Sequence, residues 1–379
     1  MEFSLSTAEM ALRDSLRRFC RDHYSQQIRA SLLQSRDQFG REHWGMFAEL
    51  GWLGAALPAD VGGGEGGVNE IAIISEEFGR ALVVEPFWAC AVVASHLINR
   101  RADHRQRVDL LAPLVRGAVV VVLAHSEEDA GGLIEHVETR AERHGDGIYC
   151  LNGKKTLIVS GSTADKFIVS ARTQGGSRDR GGIGLFLVDR SAVGLSRFDY
   201  VTIDGMAACN LDLHNVRVRE ADRIGGPDSA FEDIEETWEW GILALCAEAV
   251  GIMDGVLWIT RDYLRMRRQY GVALASFQAL QHRMADMYVE LELARSMLFR
   301  AISLLDLPAS QQRHGEMIAA YIKVCQSGGF VCRNGIQLHG AMGMVEGGMV
   351  GQYFKRMVVI SGLFGGTEKQ LQKFIDLTT

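Results

Sequence analysis

Four arginines crowd one short stretch of the chain, and their type and spacing could do chemistry. They are Arg261, Arg265, Arg267 and Arg268, and they follow a long apolar-patterned segment. A guanidinium group can donate two parallel hydrogen bonds to phosphate oxygens, so the cluster could bind a pyrophosphate. Cations also suit the C-terminal end of a helix through its dipole, so a solvated helix end is the alternative. Composition alone favours the solvated end.

Other reactive residue types lack the context that chemistry would need. The glycine run at 62–67 has no Lys-Ser/Thr ending and no preceding strand, so we expect a surface turn rather than a phosphate-binding loop. No Ser-His-Asp or Cys-His arrangement has motif-like local context. The seven cysteines are scattered without CxxC spacing, which predicts reduced thiols and no metal site.

Charge and hydropathy exclude several classes of function. The 379 residues carry 40 Lys+Arg against 47 Asp+Glu, a net charge of −7, which argues against general nucleic-acid binding but still allows a local basic patch. The N-terminus shows no export signal, and no apolar run approaches the ~18 residues of a membrane span. The sequence therefore predicts a cytoplasmic protein without membrane or nucleic-acid partners.

Apolar spacing divides the chain at Pro113 and Pro227. Before Pro113 the spacing is helical, beginning with a capping box of Ser6 and Glu9. Between the two prolines, the segments GAVVVVLAHS, GIYCLNGKK, DKFIVSART and GIGLFLVDR have strand-and-turn composition. The middle third is therefore predicted to be a β unit.

After Pro227 two long amphipathic helices are predicted, each with an apolar stripe that must pack on other helices. The first stripe contains Leu243, Ala247, Val250, Leu257 and Leu264. The second contains Phe277, Leu280, Met284, Met287, Leu291, Ala294 and Leu298. The order is helices, β unit, helix bundle.

Several longer motifs resemble the acyl-CoA dehydrogenase family. RRQYGVALASFQALQHRMADMYVELELARSM is similar to the family signature, and QLHGAMGMVEGGMVGQYFKR to its glycine turn and following helix. ELGWLGAALPADVGGGEGGVNEIAIISEEFGRAL resembles the N-terminal helix–loop–helix, and LNGKKTLIVSGSTADKFIVSAR the hairpin of the β domain. Small subunits of the pimeloyl-CoA dehydrogenase type share ALQHRMADM, QLHG and YFKR almost verbatim.

The resemblance implies an α+β fold that is mainly α. It consists of an N-terminal helical domain (1–116), a middle β-barrel-like domain (117–226) and a C-terminal four-helix bundle (227–379). It also implies FAD-dependent α,β-dehydrogenation of an acyl-CoA in fatty acid metabolism, with an electron-transfer flavoprotein as electron acceptor. In the family each FAD lies across a subunit interface, with its ring in one chain and its diphosphate end held by the neighbour, so a homo- or hetero-oligomer is expected.

The resemblance implies seven cofactor-binding residues: Ser126, Arg267, Tyr270, Gln278, Gln337, Gly340 and Thr367. Most of them belong to the diphosphate-binding half, which is well matched. The ring-facing half is eroded, because Leu157 and Val159 stand where the family places a Trp and a Thr against the flavin. Leucine cannot stack on the ring in the same way, and valine cannot donate a hydrogen bond.

The catalytic base is missing from its usual positions. Gly365 stands where the family glutamate precedes a Gly-Thr pair, and Gly241 stands where some members place it instead. Glu239 is the one nearby candidate, but it lies roughly 200° around a regular helix from Gly241.

Three hypotheses follow. The first is a base-lacking partner subunit of a heteromeric dehydrogenase, the second is a self-sufficient homomeric enzyme with an atypical base, and the third is a redox-silent acyl-CoA-binding or structural subunit.

Overall fold

The computed structural model describes residues 5–35, 39–145, 147–226, 230–345 and 347–378. Residue contacts group the chain into two compact units. The first contains Met1–Ser31, Val68–Val83 and Ile242–Thr379, and the second contains Leu32–Gly67 and Val84–Gly241. Pro227 lies outside the described residues.

Helices dominate the described chain, as expected. They are α1 (Thr7–His23), α2 (Gln26–Gln34), α3 (Arg41–Glu49), α4 (Val68–Ala81), α5 (Ser95–Arg101), α6 (His104–Val115), α7 (Phe231–Met266), α8 (Gln278–Leu305), α9 (Gln311–His339), α10 (Met349–Gly362) and α11 (Gly366–Thr378). A π-helix, Phe87–Ala94, precedes α5. Residues 62–67 form the predicted loop before α4.

The capping box at the start of α1 is confirmed. The Ser6 hydroxyl accepts the Glu9 N–H at 3.2 Å, and the Glu9 carboxylate accepts the Ser6 N–H at 2.7 Å. These two bonds satisfy backbone donors that the first helical turn leaves without intrahelical partners. The following apolar residues Leu16 and Phe19 are buried, as their spacing predicts.

The part of the long helix α7 from Ile242 to Met266 belongs to the core of the first unit. All five residues of its predicted stripe are at most 2% exposed. By length and composition α7 could cross a membrane, but 78% of its most apolar stretch is buried inside the protein. Packing against neighbouring helices therefore accounts for its high hydropathy.

The stripe of α8 is buried over only part of its length, which corrects the expectation that all of it packs on other helices of the chain. Met287, Leu291, Ala294 and Leu298 are buried. Phe277, Leu280 and Met284, at the N-terminal end, are half-buried instead. This end of α8 leaves apolar surface that the chain itself does not cover.

The second unit contains a curled sheet of seven strands. They are β1 (Val121–Ala124), β2 (Arg140–His144), β3 (Ile148–Val159), β4 (Lys166–Arg172), β5 (Ile183–Asp189), β6 (Leu195–Val201) and β7 (Ala207–Arg219). Their order is β1-β4-β2-β3-β7-β6, and β5 pairs with β4. The four predicted segments contain β1, the first part of β3, β4 and β5. Strands β2, β6 and β7 were not predicted; polar residues dominate β2, and β6 is mostly exposed.

Candidate functional site

Five residues that we call the turn cluster surround the connection between α7 and α8: Arg267, Tyr270, Gln278, Gln337 and Gly340. The connection contains two short paired strands, β8 (Arg268–Gln269) and β9 (Val272–Ala273). The ring of Tyr263 in α7 stacks on His339 at the end of α9, with centroids 4.2 Å apart, and its hydroxyl donates to the His339 carbonyl at 3.3 Å. This contact brings the end of α9, with Gln337 and Gly340, beside the end of α7.

The side chains of the turn cluster are displayed to solvent. Tyr270 is 93% exposed, and the other members are exposed as well. Within the described part of the chain, the side chains of Arg267, Gln278 and Gln337 make no hydrogen bond or ion pair. Arg261 differs, because it pairs with Asp262 at 2.7 Å and covers the Trp258 ring. The exposed donors of the turn cluster could therefore bind an anion supplied from outside this chain.

Thr367 does not join the turn cluster. It follows Phe364, whose ring makes an edge contact with Tyr321 in the middle of α9. Tyr321 and Gln337 are separated by about 24 Å along the helix axis, at 1.5 Å per residue. One chain therefore does not bring Thr367 and Gln337 to one point.

A second group, which we call the hairpin cluster, consists of Ser126, Leu157 and Val159. The Thr156 N–H donates to the Ser126 carbonyl at 2.8 Å, which ties the end of β1 to β3. An irregularity in β3 between Lys155 and Ile158 displays Leu157, which has a φ of +50° and is 41% exposed. A left-handed leucine is strained, and such strain persists only where the surrounding structure enforces it.

A buried network of charged side chains, centred on Lys155, lies next to the hairpin cluster. The Lys155 ammonium is fully buried and donates to the His125 carbonyl at 3.2 Å, the Glu127 carboxylate at 2.7 Å and the Ser170 hydroxyl at 3.0 Å. Glu127 also accepts the Glu138 N–H at 2.6 Å and both the N–H and the hydroxyl of Thr139. All three ammonium donors and the carboxylate lone pairs are thus satisfied, as burial requires.

Burial and this network set the protonation states of the group. Burial lowers the pKa of Lys155, although Glu127 opposes that effect. Burial by itself would raise the pKa of Glu127, but the neighbouring ammonium and the hydrogen bonds outweigh it and lower the pKa. Burial and the nearby Lys155 lower the pKa of His125 to about 3, so this imidazole is neutral at pH 7.

One group among the described residues has the spacing of metal ligands. Ligand atoms of Glu127, His136 and Glu138 lie within 4.8 Å of one another. The carboxylate of Glu127 already accepts four hydrogen bonds, and His136 Nε2 lies 3.4 Å from Glu138. The arrangement therefore needs no metal ion to account for it.

Neither usual position of the base carries a carboxylate. Phe364, Gly365 and Gly366 have φ angles of +55°, +86° and +84°, a backbone that side chains adopt only with strain. At Gly241, a Cβ atom would lie 3.3 Å from Val93 and 3.5 Å from the Trp88 indole. The Trp88 N–H also donates to the Gly241 carbonyl at 2.9 Å.

Glu239 is a poor substitute for that base in this chain. Helix α7 continues from Phe231 to Met266, so no break turns Glu239 toward the position of Gly241. The residue is only 2% exposed, although a base must reach its substrate.

The Lys155 network and the contact of Trp88 with Gly241 were not predicted from the sequence. A signal for the first was present, because Tyr149, Leu151 and Lys155 share one face of β3 by their two-residue period, and that face is buried. Trp88 carries no comparable signal, because its contact joins residues far apart in the chain.

Comparisons with known proteins agree on one family across all three regions. Acyl-CoA dehydrogenase, N-terminal domain matches residues 6–118, the middle domain 122–216 and the C-terminal domain 231–375. A solved variant of the Tcur3481-Tcur3483 steroid ACAD has 30% identity, covers 98% of this chain and 97% of its own, and superposes with a TM-score of 0.88.

Two further matches have lower identity. The Caffeyl-CoA reductase-Etf complex subunit CarC of Acetobacterium woodii is 26% identical over 95% of this chain and 96% of its own length. The solved FAD complex of PigA has the same fold, with a TM-score of 0.91, 23% identity and full coverage of both chains. With the family matches in all three regions, these findings show that the chain belongs to the acyl-CoA dehydrogenase family.

Proposed function

We propose that this chain is the base-lacking partner subunit of a heteromeric, FAD-dependent acyl-CoA dehydrogenase. One observation carries the proposal. The side chains of Arg267, Gln278 and Gln337 are exposed and make no hydrogen bond or ion pair among the described residues. In the same chain, glycines, Gly365 and Gly241, stand at both positions where the family resemblance places the catalytic carboxylate. A chain that retains one half of a shared site and lacks the other is expected to act with a second chain.

The turn cluster fits the diphosphate end of FAD. Its guanidinium and amide groups are exposed and are not engaged with carboxylates of the described chain, and guanidinium groups pair with phosphate oxygens. In this role Arg267 and the two glutamines would hold the diphosphate, and Tyr270 and Gly340 would lie beside it. When bound, the flavin supplies the hydride acceptor for oxidation of the acyl chain.

The hairpin cluster fits the flavin ring less well. Leu157 occupies a displayed, left-handed position but offers an alkyl side chain in place of an aromatic face. Its backbone N–H already donates to the Asn210 side chain at 3.0 Å. Ser126 keeps a hydroxyl that could donate, and Thr367 stands near the start of α11. The ring and the base would therefore belong to the other chain.

Names of related proteins support a heteromeric assembly. Tcur3481-Tcur3483 is a steroid ACAD whose name joins two chains, and CarC is a subunit of a complex with Etf. The resemblance to pimeloyl-type small subunits points the same way. We accordingly propose a second family chain as partner, a large acyl-CoA such as a ring-bearing one as substrate, and an electron-transfer flavoprotein as acceptor. All seven cysteines are free, which supports a cytoplasmic location.

The test is the flavin content of the purified chain, alone and co-expressed with a homologue that carries the glutamate. We expect a colourless protein alone and a yellow, active complex. A chain that binds FAD stoichiometrically by itself would instead make it a self-sufficient enzyme. A chain that never acquires flavin with any such homologue would make it a redox-silent subunit.

A matched pair of variants locates the shared site. Arg267→Gln should weaken FAD retention by the complex at least about tenfold, because a charge-assisted hydrogen bond contributes roughly 1.5–3 kcal/mol. Arg217→Gln removes the same charge from an exposed position on β7 and should leave FAD retention unchanged. Equal losses in both variants would show that Arg267 is not part of the site.

A further inference from the structure

A basic pocket lies in the second compact unit, at the surface of the sheet. It has a volume of about 700 Å³. Its charged lining consists of Arg140, Glu142, Arg143, Arg172, Glu220 and Arg223. Four arginines against two glutamates give the lining a net of two positive charges, whereas the whole chain has a net charge of −7. The pocket is therefore locally basic, although the protein as a whole is acidic.

Two of these arginines are neighbours across the sheet. Arg140 in β2 pairs directly with Arg172 in the parallel strand β4. Like charges at directly opposite positions destabilise a sheet. Burial lowers the pKa of Arg172, the negative charge of Asp179 opposes that effect, and the positive charge of Arg140 adds to it. An anion bound in the pocket beside these two side chains would relieve this repulsion.

Arg172 supplies charge to the pocket but no hydrogen bonds. It is 1% exposed, and its five N–H donors all reach backbone carbonyls, those of Glu135, Val137, Ser177, Asp179 and Gly181. Those bonds join the loop between β4 and β5 to the segment that precedes β2. Its charge is thus fixed at the base of the pocket, while any ligand must bond to other groups.

Arg140 and Arg143 have guanidinium N–H donors that are available to a ligand. Arg140 is exposed, and within the described ranges its one side-chain bond is a long contact of 3.5 Å to the Gly175 carbonyl. Arg143 reaches Glu220 at 2.8 Å, but both side chains are about half exposed. An exposed ion pair contributes little to stability, so a better anion could take its place at Arg143.

We propose that this pocket binds a phosphate monoester, with Arg140 and Arg143 donating to the phosphate oxygens and Arg172 providing charge behind them. A phosphate monoester carries nearly two negative charges at neutral pH and so matches the net charge of the lining. Guanidinium groups bind phosphate oxygens in bidentate geometry. The volume exceeds that of a bare ion and leaves room for an organic group.

Two sources could supply that chemistry: a free nucleotide, or the ribose 3′-phosphate of a coenzyme A ester. Isothermal titration of the purified chain at low ionic strength separates them. We expect adenosine 3′,5′-bisphosphate to bind and adenosine not to bind. Coenzyme A should bind more tightly than dephospho-coenzyme A, which lacks the phosphate monoester. Binding of coenzyme A at least as tight as that of the bisphosphate would identify the ester, and binding weaker than that of the bisphosphate would identify free nucleotides.

Variants test the assigned residues. Arg140→Gln and Arg143→Gln should each weaken binding of the bisphosphate at least about fivefold. Glu220→Gln removes the competing carboxylate and should tighten binding. Arg178→Gln, which removes an exposed arginine of the same unit outside the pocket lining, should change nothing.

Two results would overturn the proposal: absence of bisphosphate binding by the folded chain, or equal weakening by Arg178→Gln and Arg140→Gln, which indicates non-specific attraction. The readout needs neither FAD nor a partner subunit. The phosphate-binding proposal is therefore tested independently of the proposed function.

Discussion

The turn cluster and the hairpin cluster differ in how the chain holds their side chains. In the turn cluster, Tyr270 is 93% exposed, and the Arg267 side chain makes no hydrogen bond or ion pair in the described regions. In the hairpin cluster, a buried network of Lys155 and Glu127 holds the backbone that displays Leu157 and Val159.

The difference shows that conformation and surface chemistry are maintained by separate residues. Buried charges fix the hairpin whatever side chain it displays, because leaving Lys155 or Glu127 unpaired in the interior would be costly. Exposed side chains such as Arg267 contribute little to the fold, so they are available to bind a group from outside this chain. Four experiments test this contrast.

The largest effect is expected from Lys155→Met. It removes one partner of a buried pair and leaves the Glu127 carboxylate uncompensated, which should lower the free energy of unfolding by about 3–5 kcal/mol. Urea unfolding of the chain alone measures the change. Lys154→Met is the control, since its side chain is 72% exposed and lies 3.8 Å from Asp212. Similar losses in both variants would refute a special role for the buried network.

His125 should make the second unit sensitive to acid. Its pKa is lowered to about 3 in the folded chain, so between pH 6.5 and 3 the unfolded chain binds a proton that the folded chain does not. Stability is therefore lost as pH falls, by about 2 kcal/mol between pH 6.5 and 5. Unfolding measured at both pH values should show this loss in the wild type and in His144→Gln, an exposed histidine variant, but a smaller loss in His125→Gln. An unchanged loss in His125→Gln would assign it to other groups.

Restoring a carboxylate at the usual base position should not create an enzyme. Gly365 has a φ of +86°, so Gly365→Glu is expected to cost about 1–2 kcal/mol of stability and to leave the isolated chain inactive. Gly362→Glu is the matched control, because Gly362 has a φ of −89° and open space around its Cβ position. Thermal unfolding compares the two. Dehydrogenase activity of Gly365→Glu alone would show that the chain has a complete ring site.

The smallest effect on stability is expected from Arg267→Gln. An exposed side chain without partners should change the free energy of unfolding by less than about 0.5 kcal/mol. By contrast, Arg356→Gln in the same unit breaks a buried pair with Glu248, whose N–O distance is 2.5 Å, and should cost several times as much. A large loss in Arg267→Gln would mean that the turn cluster serves the fold of this chain itself.

Much of the fold was predictable from local pattern. The capping box of Ser6 and Glu9 and the buried stripe of α7 depend on residues close in sequence, and both are confirmed. The half-buried start of the α8 stripe was not predicted, because periodicity shows that Phe277 and Met284 share a face but not what covers it. The FAD-binding roles of the turn cluster remain predictions.

The sequence by itself determined the order of helices and strands and the family, because both are encoded in side-chain type and short-range spacing. Only the tertiary structure decided that Lys155 is a buried ion-pair partner, that Trp88 packs on Gly241, and that Arg140 lies across from Arg172. These contacts join residues that are 28 to 153 positions apart in the chain. Their burial and charge balance arise when the chain brings them together, and no local pattern specifies that meeting.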